Sequence, residues 1–192
     1  PSHPVTEMDP EKLSELLGKK VVPFEEIEEI YPQEEYSMLV AVGYSRVNKS
    51  RAAIYDMCKV KGYQLISYIS SKAIHWGEIE IGDNCFIFES IIQPFVRIGN
   101  DVVIWSGNHI GHDTSIGDHC FIAPHAAISG NVKIGPYCFI GLNATVRDGV
   151  TIAPECVIGA GSVILNDTVE RGVYKSKSTE PAPYDSSQLE NL

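Results

Sequence analysis

The chain of 192 residues has no apolar run approaching the ~18 residues that would span a bilayer, and no basic-plus-apolar leader opens it. No membrane partner is expected, and the cytoplasm is the expected location. Positive charge is also scarce: 15 Lys and Arg stand against 25 Asp and Glu, for a formal charge of −10. Binding to phosphate backbones needs a basic surface, so nucleic acid is excluded as a partner class. The five cysteines include no CxxC pair, which removes the commonest metal and disulfide motifs. No GxGxxG or similar glycine-rich turn occurs before Ser37.

What the chain does have is a period of six. From residue 98 to 169 one aliphatic residue returns without a slip: Ile98, Ile104, Ile110, Ile116, Ile122, Ile128, Ile134, Ile140, Val146, Ile152, Ile158 and Ile164. The fifth place of each hexad forms a second register of small or β-branched residues, from Val102 to Thr168, with Asn108 the exception. Six fits neither a heptad nor an α-helical face. It fits a hexapeptide β-solenoid, in which each hexad is one short strand and a turn, and stacked coils bury a continuous core. Three hexads make a coil of eighteen residues, so residues eighteen apart should be neighbours at the strand spacing of ~4.8 Å. Cys120, Cys138 and Cys156 then stack as small buried hydrophobes, and Cys85 joins their column across a five-residue step between Ile87 and Ile92.

Before the solenoid the chain reads as α/β. Residues 1–36 carry ten Asp and Glu against three Lys, a solvated flank. The first ten residues have no period and are expected to hang loose, and Leu13 to Leu17 reads as one helical turn closed by Gly18. Lys19 to Phe24 reads as a strand, Phe24 to Tyr31 as a short amphipathic helix stopped by Pro32, and Ser37 to Gly43 as a strand buried on both faces. Asn48 can cap a helix running to about Lys61, and Tyr63 to Ile69 reads as a further strand. The order β-α-β-α-β describes a parallel sheet with crossover helices. At its edge, Gly43, Tyr44, Ser45 and Arg46, with Asn48, Lys49 and Arg51 close behind, leave two readings open: an anion site at a helix N-terminus, or an ordinary loop with solvated basic residues. The expected division is an α/β domain over 1–72, a β-helix over 73–169 and a Pro-interrupted tail over 170–192 with one short terminal helix.

Four histidines fall within seventeen residues: His109, His112, His119 and His125. Imidazole titrates near neutrality and serves as base or ligand, so such density calls for a reason. The lattice of eighteen separates them. It places Gly130 beside His112, setting a base next to a bare backbone N–H, the pair that direct acyl transfer requires. His125 falls between Gly107 and Asn143, and His119 between Asp101 and Tyr137; both read as surface-ladder partners.

On SMLVAVGYSR, the His-Asp pair in IGHDTSIGDH, and ISGNVKIG, the chain resembles the hexapeptide-repeat acyltransferases with left-handed β-helices. Within them it looks like the sialic acid O-acetyltransferase and UDP-4-amino-sugar N-acetyltransferase group, over about Val21 to Val173. That resemblance implies a left-handed parallel β-helix behind a small α/β Rossmann-like domain; the missing glycine-rich phosphate turn leaves two readings open, a domain truncated by its first strand and helix or a nucleotide held differently. It implies a homotrimer, with acyl-CoA as co-substrate between neighbouring solenoids, no metal, and a nucleotide sugar as the second substrate. By the motif, His112 matches the catalytic base, Asp113 its adjacent acid, and Gly130 the glycine whose amide meets the thioester carbonyl. Leu142 and Ala160 match the wall along pantetheine, and Gly43 falls where relatives contact the nucleotide sugar. The expected activity is transfer of an acetyl or other short acyl group to a sugar amine or hydroxyl, in the building of a surface polysaccharide or glycan. Other readings remain open: a zinc enzyme of the γ-class carbonic anhydrase type, with ligands shared between subunits, and a non-catalytic trimeric scaffold. Covalent catalysis by Cys120 is disfavoured by the burial its column predicts.

Overall fold

The computed structural model describes residues 14–184 except Leu16 and Glu78. The ten N-terminal residues expected to be loose lie outside this range, as do residues 185–192, where the end of the expected terminal helix would fall.

The period becomes a parallel β-solenoid whose coils are triangular in section, with three ladders of two-residue strands. The first face has seven strands, from Tyr68–Ile69 through Val103–Ile104, Phe121–Ile122 and Phe139–Ile140 to Val173–Tyr174. The second has six, from Ile74–His75 through His109–Ile110 and Ala127–Ile128 to Val163–Ile164. The third has five, from Glu80–Ile81 through Ser115–Ile116 to Thr151–Ile152. Register follows the eighteen-residue rule, as in His109 opposite Ala127 and Ser115 opposite Lys133. The missing residue between Ile87 and Ile92 shortens the step to Phe86 opposite Val103.

The two sequence registers are the core. Ile104, Ile110, Ile122, Ile128, Ile140, Val146, Ile152 and Ile158 are wholly buried, and so are Val102, Cys120, Cys138 and Cys156 of the second register. Asn108, the exception in that column, is satisfied in place: its Oδ1 accepts from Ala126 N at 2.7 Å and its Nδ2 donates to Trp105 O. The fourth place of each hexad turns the corner in the left-handed backbone region, with φ of +55° at Asp101, +57° at Asp113, +60° at His119 and His125, and +56° at Asn131. Asp, Asn and His are the residues that enter that region most readily after glycine; Tyr137 and Glu155, with φ of +59° and +58°, are less usual there.

Ahead of the solenoid, a 3-10 turn at Phe24–Glu26 runs into helix α1 (Ile27–Ile30), as the amphipathic pattern predicts. Strand β1 (Ser37–Met38), helix α2 (Lys49–Val60) and strand β2 (Gln64–Leu65) form a single parallel β-α-β unit. The sheet is smaller than the sequence suggests. Residues 19–23 are not a strand: Pro23 has no N–H to give a ladder. The apolar run after Met38 leaves the sheet because a side chain replaces the neighbouring strand: Val40 N donates to Asn84 Oδ1 at 2.7 Å, and Asn84 Nδ2 returns to Val40 O at 3.3 Å.

Candidate active site

The corner between the second and third faces is built turn upon turn. After Ile110 enters the core, Gly111 lies against the coil above so closely that a Cβ would be 2.3 Å from Ser129 C and 2.4 Å from Gly130 N. Only glycine allows that contact. His112 then faces outward. Its amide donates to Gln93 Oε1 at 2.9 Å from the coil below, and its carbonyl accepts from Asn131 N at 2.8 Å from the coil above. The left-handed turn at Asp113 brings that carboxylate back to the imidazole, with Nδ1 and Oδ2 2.9 Å apart. With Nδ1–H donating to Asp113, Nε2 carries the lone pair, and it has no partner among the described residues. Gly130, in the coil above, lies against the ring: a Cβ there would be 2.6 Å from Nε2 and 2.7 Å from Cε1. Gly130 is buried, and its own N–H has no partner among the described residues. A base of half-exposed imidazole, a fixed tautomer and a free amide are thus within one coil spacing of each other.

Leu142 and Ala160 lie on another corner, between the first and second faces, one coil apart as the lattice requires, with Gly161 N donating to Leu142 O at 2.8 Å. They line a groove of about 440 Å³ with Tyr44, Trp105, Phe121 and Phe139. Tyr44 packs edge-on against Phe121 at 4.9 Å and against Phe139 at 5.0 Å. Gly43 borders an adjoining apolar pocket of about 270 Å³ that shares Trp105 and Phe121. The structure therefore groups His112, Asp113 and Gly130 on one corner, and Leu142, Ala160 and Gly43 around another. Within one chain it does not unite the two sets.

The third corner is where α2 docks, and it decides the open question about the basic loop. Asn48 and Arg51 are wholly buried. Arg51 donates to Asp101 Oδ1 at 3.0 Å, to Asp101 O at 2.9 Å and to Cys120 O at 3.2 Å. Asn48 has φ of +67° and makes no helix cap; its Nδ2 donates to Cys138 O at 3.0 Å. Lys49 pairs with Glu155 at 2.6 Å, and together with Arg171 holds that carboxyl below its ordinary value. These three residues fasten the helix to the solenoid and offer no anion site. His119 belongs to the same packing: it is buried, with Nδ1 2.9 Å from Asp101 Oδ2 and its ring 4.7 Å from Tyr137. His125 lies over Gly107, where a Cβ would come within 2.3 Å of its Nδ1. The four histidines thus sit on three separate corners and one strand. Among the described residues no three His, Cys, Asp or Glu are grouped to hold a metal ion.

Two residues escaped the sequence reading. Gln93 steadies His112 from below, and Asp148, one more step of eighteen beyond Gly130, brings Oδ2 to 3.0 Å from the same Cβ point. A second step along the lattice would have found Asp148. Nothing in the sequence marks Gln93, because the five-residue step falls beside it.

Comparison with known proteins bears on the fold. Residues 95–130, 113–146 and 131–166 match the model for the bacterial transferase hexapeptide (six repeats). A histidine-to-asparagine variant of perosamine N-acetyltransferase from Caulobacter crescentus, in complex with CoA and GDP-perosamine, superposes with a TM-score of 0.76 at 26% identity, over 82% of this chain and 74% of that one. The acetyltransferase domain of PglB from Neisseria gonorrhoeae, in complex with acetyl coenzyme A, superposes with a TM-score of 0.72 at 26% identity, over 78% and 72%. WeeI from Acinetobacter baumannii shares the fold, with a TM-score of 0.71 at 20% identity over 82% and 73%.

Proposed function

We propose that this chain, whose residues 95–166 belong to the bacterial transferase hexapeptide repeats, moves a short acyl group from acyl-CoA to the amine of a nucleotide-linked sugar. The observation that carries the reading is the close approach of His112 Nε2 to Gly130, 2.6 Å from where a Cβ would lie, with the Gly130 amide unpartnered among the described residues and Nδ1 held by Asp113. The CoA and amino-sugar complexes of the two relatives near 26% identity supply the substrate classes.

In this mechanism the acceptor nitrogen attacks the thioester carbonyl directly. His112 Nε2 takes the proton released as the bond forms, for which a positioned base contributes ~10² to 10⁴-fold. Asp113 keeps the imidazole in the accepting tautomer and balances the imidazolium once it forms. The Gly130 N–H meets the oxyanion, a contact of the kind worth ~10² to 10³-fold. Collapse of the tetrahedral intermediate breaks the C–S bond, and the imidazolium returns its proton to the CoA sulfur.

Leu142 and Ala160 form the wall along pantetheine, and Gly43 borders the sugar-nucleotide site. Because these residues lie on a different corner from His112, the working site is assembled between copies of the chain. The face between those two corners is suited to the contact: Ile74, Ile91, Ala127 and Val163 are exposed along it. A homotrimer closes such an arrangement without leaving an open edge. Five unpaired cysteines fit a reducing compartment, and we place the enzyme in the cytoplasm.

The test is release of CoA thiol when the purified chain is given acetyl-CoA and nucleotide-linked 4-amino sugars, GDP-perosamine among them. Acceptor-dependent release with formation of the amide is expected. Absence of release with every amine acceptor contradicts the reading.

A further inference from the structure

The corner that holds His112 carries a second carboxylate that the mechanism above does not use. A Cβ built on Gly130 would lie 2.6 Å from His112 Nε2 and 3.0 Å from Asp148 Oδ2. Both atoms therefore cover the same face of Gly130, within about 6 Å of one another, a range over which a carboxylate acts on a neighbouring charge. Asp113 is engaged at Nδ1. Asp148 is exposed and makes no hydrogen bond or ion pair among the described residues. The imidazole thus has an engaged carboxylate on one side and a free one on the other.

We propose that Asp148 selects an amine over a hydroxyl as the acyl acceptor, a role that rests on the acyl-transfer reading of this site. At that separation one first-row atom can lie within hydrogen-bond distance, ~2.8 Å, of both Nε2 and Oδ2. A primary amine placed there has two N–H bonds and a lone pair. One N–H donates to Asp148, the other donates to Nε2, and the lone pair is left for the thioester carbonyl. A hydroxyl has one O–H. Donated to Nε2, it leaves oxygen lone pairs against the Asp148 carboxylate; donated to Asp148, it leaves the base without the proton it must take.

The step balances without a further reactant. An acceptor that arrives as ammonium first releases one proton to solvent. The amine nitrogen bonds to the acyl carbon, and the N–H facing His112 passes its proton to Nε2. The C–S bond then breaks, the proton moves from Nε2 to sulfur, and an amide and free CoA thiol leave. Asp148 stays ionised throughout, holding the second N–H of the acceptor.

The experiment measures kcat/KM for GDP- and UDP-linked 4-amino sugars and their 4-hydroxyl counterparts in the wild-type protein and in Asp148→Asn, Asp148→Ala and Asp148→Glu. Hydroxyl sugars are read as inhibitors where their turnover is undetectable. Loss of one hydrogen bond to a charged group is expected to cut the amine-to-hydroxyl ratio about ten- to a hundredfold in Asp148→Asn and Asp148→Ala. The KM for acetyl-CoA and the melting temperature should stay at their wild-type values, and Asp148→Glu should recover part of the ratio. An unchanged ratio in both neutral variants, with the wild type active on amines, overturns the role of Asp148 alone. A wild type inactive on all amines overturns the acyl-transfer reading, and this role with it.

Discussion

The guanidinium of Arg51 meets Asp101 Oδ1 at 3.0 Å, with both side chains wholly shut off from solvent, and this pair joins α2 to the solenoid. Asp101 also accepts from Asn84 Nδ2 at 2.7 Å and faces His119 Nδ1 at 2.9 Å, so one carboxylate ties three segments together. Removing one partner of such a pair leaves an uncompensated buried charge. Arg51→Ala should therefore lower the unfolding free energy by about 3–5 kcal/mol, measured by urea titration. A loss below about 1 kcal/mol, the size of an exposed pair, would contradict the latch.

Gly130→Ala tests the close approach of base and amide. The new Cβ would fall 2.6 Å from His112 Nε2, and the exposed imidazole can swing away where backbone could not. The fold should persist, while the base leaves its station and turnover falls by about 100-fold or more. Circular dichroism and initial rates together check this; wild-type rates in a folded variant would count against it.

Filling the apolar groove should affect the acyl donor more than the chemistry. Ala160→Trp places a large ring beside Leu142 and Phe139, and the KM for acetyl-CoA should rise about tenfold, the effect of losing on the order of 1.4 kcal/mol of binding. Saturation kinetics should show the change in KM exceeding the change in kcat. A change confined to kcat would remove this groove from the donor site.

The thiols should be silent in the folded protein. All five cysteines are buried and unpaired; burial pushes Cys85 to about 11 and holds Cys120 well above its ordinary value, while the Cys120 side chain lowers its neighbour Cys138. Shut off from solvent, none of the five can meet a reagent in the folded state, Cys138 included, and a thiol held protonated is unreactive besides. Labelling with a chromogenic disulfide should be slow in buffer and should reach all five sites in urea. Rapid labelling of Cys120 in the native state would reopen covalent catalysis.

The solenoid was legible because its physics is periodic. A hexad with an aliphatic at one place and a small residue at another can bury both columns in only one kind of stack, and eighteen-residue neighbours such as His109 and Ala127 follow. The same arithmetic paired His112 with Gly130. What it missed depends on tertiary covering. Asn48 and Arg51 look like loop polar groups until α2 is laid on the third corner, and Val40 looks like strand until Asn84 takes the place of a partner. The left-handed corners at Tyr137 and Glu155 were also hidden, because only the stack around them makes that conformation tolerable for such side chains.

The most direct test of the mechanism is His112→Asn. Asparagine cannot accept and return the proton, yet His112 is half-exposed and its backbone contacts to Gln93 and Asn131 survive the change. The mechanism predicts a kcat for amine acylation lower by ~10² to 10⁴-fold, with acetyl-CoA binding, measured by calorimetry, within about twofold of wild type. Turnover retained at the wild-type rate would remove His112 from the mechanism.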